Sequence, residues 1–140
     1  MTVGLLIVTH NRIGSELLDT ATNMLGICPL ATLVLPVTPD TDPDRTCAAA
    51  RRMVRDLDQG EGVLILTDVY GSTPSNIASR LREHERVRVV AGVNLPMLIR
   101  ILNYPRLELD ELAEKALSGG RDGVLLCKPD PGDTPKPGAK

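Results

Sequence analysis

Two polar side chains stand at the ends of apolar runs. His10 closes Val3-Gly4-Leu5-Leu6-Ile7-Val8-Thr9, and Asp68 follows Val63-Leu64-Ile65-Leu66-Thr67. Each is followed by a turn and a helix-period segment, which puts it where an open α/β sheet exposes its carboxyl edge and carries its ligands. An imidazole and a carboxylate that meet there can act as nucleophile and orienter. A carboxylate that accepts the Nδ1–H bond fixes the tautomer, leaves the Nε2 lone pair free, and stabilises the positive charge that develops on the ring. The turn Gly71-Ser72-Thr73 adds backbone N–H groups and two hydroxyls at a helix start, a combination that suits phosphoryl oxygens. Phosphoryl transfer needs mainly positioning and charge stabilisation, so neither a metal nor another cofactor is expected.

The elements that must position these groups follow from hydrophobic periodicity. Runs at 3–9, 30–35, 63–67, 86–91 and 123–127 read as strands, three of them nearly continuous in apolar residues, as strands covered on both faces should be. Between them lie helical stripes. Ile13, Leu17, Leu18, Ala21, Met24 and Leu25 form one, closed by Gly26; Cys47, Ala50, Met53, Val54 and Leu57 form a second, with Gly60 beyond it. Thr73 is expected to cap a third helix through Ile77, Ala78 and Leu81, with Pro74 as its first residue. Asn94 is expected to cap a short fourth through Leu95, Met97, Leu98, Ile101 and Leu102. A fifth runs through Leu109, Leu112, Ala113, Ala116 and Leu117, with Gly119-Gly120 as its stop. The alternation predicts an α/β fold, a doubly wound and mainly parallel sheet with helices on both faces. In the common strand order 2-1-3-4, strands one and three are neighbours, and His10 meets Asp68 at the switch point.

Composition narrows the function. A chain of 140 residues is one domain's worth, large enough to bury a core without staples. Tyr70 and Tyr104 are its only aromatics, which argues against a stacking reader of single-stranded nucleic acid. The net charge of −2 gives no strong field toward nucleic acid or an anionic membrane. Cys28, Cys47 and Cys127 are widely separated among apolar residues, the pattern of buried thiols in a reducing compartment. With no basic leader and no apolar stretch of about 18 residues, the chain reads as cytoplasmic and not inserted in a membrane. Residues 128–140, with four prolines, two glycines and three lysines, read as a disordered tail after a domain of residues 1–127.

Three stretches together carry a resemblance: Leu5-Leu6-Ile7-Val8-Thr9-His10 with its helix, Asp68-Val69-Tyr70-Gly71-Ser72-Thr73-Pro74-Ser75-Asn76, and Gly92-Val93-Asn94-Leu95-Pro96-Met97-Leu98. In order and spacing the chain resembles the mannose-family EIIA domain of the bacterial phosphoenolpyruvate-dependent sugar phosphotransferase system (PTS), from about residue 2 to 127. The resemblance implies that His10 accepts a phosphoryl group from the phosphocarrier HPr and passes it to an EIIB component, with Asp68 as its hydrogen-bonded partner. It also implies a homodimer that exchanges its last, antiparallel strand, here 123–127. Two positions depart from the family pattern. Asn11 stands where many members have glycine, and Gly71-Ser72 where many have two glycines.

Asn11, Gly71, Ser72 and Thr73 are therefore expected to bind the phosphoryl group, and Asn11 to cap the first helix. Duller roles compete at single positions. Asp68 alone can cap a turn, Thr73 and Pro74 can merely start a helix, and His84 among Glu83, Glu85 and Arg86 reads as a solvated surface residue. The pairing of His10 with the Asp68 turn favours chemistry. No fused EIIB domain is expected, and a regulatory phosphocarrier of an incomplete PTS stands as the alternative to sugar transport. A receiver-like ligand-binding module is a third reading, but it would want an acidic cluster where this chain has Thr9-His10-Asn11.

Overall fold

Strands β1 (Gly4–His10) and β3 (Val63–Thr67) are buried almost throughout, because each is flanked by a strand on either side and covered by helices on both faces. The computed structural model describes residues 1–83, 86–129 and 132. The other elements are α1 (Ile13–Leu25), β2 (Thr32–Val37), α2 (Pro43–Leu57), α3 (Thr73–Arg80), a 3₁₀ turn at Leu81–Glu83, β4 (Val87–Ala91), α4 (Leu95–Leu102) and α5 (Leu109–Asp122). The four strands are parallel in the order β2-β1-β3-β4, as expected. The order reverses between β1 and β3, and Val8 of β1 lies beside Thr67 of β3. One residue further along each strand stand His10's preceding peptide and Asp68.

Alternate residues of the central strands feed two aliphatic cores. Leu5, Ile7, Leu64 and Leu66 pack with α1, α4 and α5 on one face. Leu6, Val8, Val63 and Ile65 pack with α2 and α3 on the other. The helices that follow β1 and β3 thus leave on opposite faces, which opens the crevice between the two strand ends.

Three expectations need correction. β2 begins and ends about two residues later than the apolar run and passes through Pro36; it is an edge strand, where the missing N–H of proline costs no ladder bond. α5 does not stop at Gly119-Gly120 but continues to Asp122. The glycines there permit close helix packing: a Cβ at Gly119 would lie 2.8 Å from Arg100 Cβ, and one at Gly120 2.8 Å from Met97 Cε. Of the three cysteines only Cys47 is buried, since Cys28 and Cys127 lie in segments outside both cores. The segment 123–127, expected as a strand exchanged with a second copy, forms no strand within the single chain. Gly123 ends α5, and residues 124–129 have no regular structure, with Val124, Leu125 and Leu126 exposed to 77%, 70% and 82%. A strand exists only through a partner, and this segment has none within the described residues. His84 and most of the expected tail lie outside the described residues.

Candidate functional site

His10 is the last residue of β1, and its backbone and ring both face one carboxylate. The backbone N–H donates to Asp68 Oδ2 at 2.9 Å, and Nδ1 lies 2.8 Å from the same oxygen. With Asp68 as acceptor, Nδ1 carries the proton and Nε2 is the free nitrogen. The imidazole side chain is 42% exposed and the carboxylate 10%, so the ring meets solvent while the carboxylate is held inside. Asp68 Oδ1 accepts from Val69 N–H at 2.9 Å. Burial works to raise the Asp68 pKa. The His10 backbone N–H, the His10 ring, the Val69 N–H and the ring's charge outweigh it and hold the carboxyl below its ordinary 3.8.

The surrounding backbone is fixed in turn. Asp68 carbonyl oxygen accepts from Gly92 N–H at 2.8 Å, and Thr67 carbonyl from Val93 N–H at 3.0 Å. Two residues on, Asn94 Oδ1 accepts from Met97 N–H at 2.9 Å and caps α4 as its sequence position foretold. The third signature stretch therefore buttresses the second.

The expected phosphoryl-binding residues divide. Asn11 does not cap α1. It turns the chain out of β1 in the left-handed region, φ 48°, and donates its N–H to Val37 carbonyl at 2.8 Å. Asparagine is among the few non-glycine residues that adopt this conformation readily, which accounts for its tolerance at a position where glycine would also serve. Thr73 does not cap α3 either. Ser72 occupies the cap position, and its hydroxyl donates to Val69 carbonyl and not to the helix. Gly71, at φ 88°, donates its N–H to Ser75 Oγ at 3.2 Å, and Ser72 N–H goes to Val69 carbonyl at 3.2 Å. These two donors are engaged in holding the turn. Thr73 N–H at the start of α3, and Arg12 and Ile13 N–H at the start of α1, have no partner among the described residues. Open donors at a helix start attract anionic oxygens. The last two were not singled out by sequence reasoning, although their position directly after a strand-ending histidine was visible.

No group of three or more His, Cys, Asp or Glu side chains among the described residues is arranged to hold a metal ion. No helix among them is long and apolar enough to cross a membrane.

Comparison with known proteins matches this arrangement to one family. The family described as PTS system fructose IIA component matches residues 4–117. The PTS system mannose-specific EIIAB component of Escherichia coli (strain K12) is 34% identical over 134 residues, which cover 94% of this chain and 41% of that protein. The transcriptional regulatory protein LevR of Bacillus subtilis (strain 168) is 32% identical over 113 residues, covering 76% of this chain and 12% of that protein. The chain thus spans less than half the length of either relative. Among solved structures, the mannose/sorbose-specific IIA subunit of the phosphotransferase system from Enterococcus faecalis superposes with a TM-score of 0.82 at 27% identity, over 93% of this chain and 98% of that one. With the signature stretches, the sheet order and these matches in agreement, the chain belongs to the EIIA components of the mannose/fructose family of the PTS.

Proposed function

We propose that His10 is a phosphoryl carrier, taking the group from phospho-HPr and handing it to an EIIB component in sugar uptake. The observation that carries this reading is the 2.8 Å contact between His10 Nδ1 and Asp68 Oδ2 at the sheet's switch point. Nε2 attacks the phosphorus of the donor's phosphohistidine. The Nε2–P bond forms as the donor's N–P bond breaks, and the electron pair of that bond returns to the donor imidazole. The Nδ1 proton stays on the ring, and Asp68 stabilises the positive charge there. The unpartnered N–H groups of Thr73, Arg12 and Ile13 face the charge on the phosphoryl oxygens, with the Asn11, Gly71 and Ser72 turns holding those donors in place. The same steps in reverse order of partners deliver the group to EIIB.

The working unit is the domain of residues 1–127 in the cytoplasm, where HPr resides, followed by a tail from Lys128. Two copies pair by exchanging the segment 123–127 as an antiparallel strand, forming part of a complex that meets the membrane through other components. The exposed Val124, Leu125 and Leu126 support this pairing, because an apolar triplet in water gains by burial against a second copy.

Incubation with phosphoenolpyruvate, enzyme I and HPr tests the chemistry. Intact mass should rise by one acid-labile phosphoryl group, and His10→Ala should show no adduct; an adduct that persists in His10→Ala would place the chemistry elsewhere. A second reading, a regulatory phosphocarrier without sugar transport, is favoured by the similarity to the transcriptional regulatory protein LevR. Chasing the phosphorylated protein with EIIB components separates the two. Rapid loss of the adduct supports transport, and an adduct that no EIIB removes supports regulation.

A further inference from the structure

We propose that Thr9 is a positioning residue for the His10 imidazole, its buried hydroxyl clamping the start of α1 to the end of β1. Thr9 is fully buried. Its Oγ1 accepts the Gly14 N–H at 2.8 Å and donates to the His10 carbonyl at 3.3 Å. A hydroxyl has one donor and two acceptor sites, so it can serve both ends of the link at once. The residue at the N-cap of α1, Arg12, contributes no side-chain cap. Thr9 supplies that bond instead, from three residues upstream and across the connection that carries the catalytic ring. The connection is short: His10 ends the strand, Asn11 turns it in the left-handed region, and Arg12 leads into the helix. His10 is therefore pinned through its N–H by Asp68 and through its carbonyl by Thr9.

Gly14 completes the clamp. A Cβ at that position would lie 2.9 Å from Ile7 Cγ2 and 3.0 Å from Thr9 Oγ1, so only glycine lets the helix approach near enough for the bond. Thr67 is the built-in comparison. It is equally buried, directly precedes Asp68 on the adjacent strand, and its hydroxyl has no hydrogen-bond partner. Threonine to valine removes a hydroxyl and keeps the β-branched shape, so the same change at the two positions separates the effect of the clamp from the effect of altering a buried threonine.

The rate arm of the test rests on the phosphocarrier reading; the ring arm does not. In Thr9→Val, kcat for phosphoryl acceptance from phospho-HPr should fall on the order of tenfold to a hundredfold with KM little changed, as expected when a reacting group is displaced by a fraction of an ångström. The ¹⁵N resonances of the ring should move from the Nδ1–H pattern toward a mixture of tautomers. Thr9→Ser should restore both, and Thr67→Val should leave both as in the wild type. Wild-type rate and ring spectrum in Thr9→Val would overturn the proposal, as would equal losses in Thr67→Val. Should Thr9→Val fail to fold, Thr9→Ala compared with Thr9→Ser poses the same question. If the wild type takes up no phosphoryl group, the carrier reading fails, and the ring spectra still decide the role of Thr9.

Discussion

At the scale of single residues, the proposed carrier chemistry rests on His10 and Asp68 as one unit. In that proposal the ring is the nucleophile, and the carboxylate 2.8 Å from Nδ1 leaves Nε2 as the free nitrogen. Asp68→Asn keeps the shape and removes the charge, and its amide can present either an acceptor or a donor to Nδ1. Phosphoryl acceptance should slow by on the order of 10² to 10⁴, the upper figure being that of an orienting carboxylate changed to an amide in a catalytic triad, while circular dichroism at neutral pH stays unchanged; an undiminished rate would remove the orienter role. The lowered Asp68 pKa adds a pH dependence. A carboxyl whose pKa falls on folding contributes stability in full above its unfolded value of about 3.8, and that contribution is lost as pH drops through the lower folded value. The gap in urea midpoint between wild type and Asp68→Asn should therefore be present above about pH 3.8 and shrink as pH falls below it. Both residues were legible in the sequence because each ends an apolar run with a group that can titrate. Thr9 was not, because a threonine at the end of a strand looks the same whether its hydroxyl is bonded or idle.

At the scale of elements, the ends of helices control the site. Capping of α4 by Asn94 was readable from the Asn94-Leu95-Pro96 spacing and is present. Its second bond was not readable, because Asn94 Nδ2 donates to the Gly120 carbonyl at 3.1 Å, 26 residues away. Asn94→Ala removes both bonds and should cost about 1–2 kcal/mol in urea unfolding. Gly14→Ala should cost about 1–3 kcal/mol, because the new methyl overpacks a buried contact with Ile7. A neutral result at Gly14 would mean that α1 can lift off β1 freely. The misread elements share a cause. Gly119-Gly120 looks like a stop to any local rule, yet tertiary contact with Arg100 and Met97 uses the same glycines to keep α5 close to α4. The shift of β2 through Pro36 likewise depends on its being an edge strand, which no local pattern reveals.

At the scale of the whole molecule, strand order does the decisive work. Parallel pairing in the order β2-β1-β3-β4 brings residues 58 positions apart in the chain into hydrogen-bond contact at one edge. The order was expected as the common one among the few doubly wound arrangements that alternating apolar runs and helical stripes admit, and the pattern alone did not single it out. The expected exchange of 123–127 came from the family resemblance alone, since the segment's apolar residues are equally suited to a strand of this chain or to one completed by a second copy. For the proposed strand-exchanged dimer, removing residues 128–140 should leave the sedimentation coefficient nearly unchanged, whereas removing 123–140 should yield monomers. A wild-type protein that sediments as a well-behaved monomer would contradict strand exchange.

The most direct measurement on the phosphorylated protein is ³¹P–¹⁵N NMR of the ¹⁵N-histidine-labelled chain. A one-bond coupling to Nε2 of His10, with Nδ1 still protonated, is the predicted result. Phosphorus on Nδ1, or on any residue other than His10, would contradict an imidazole oriented by Asp68.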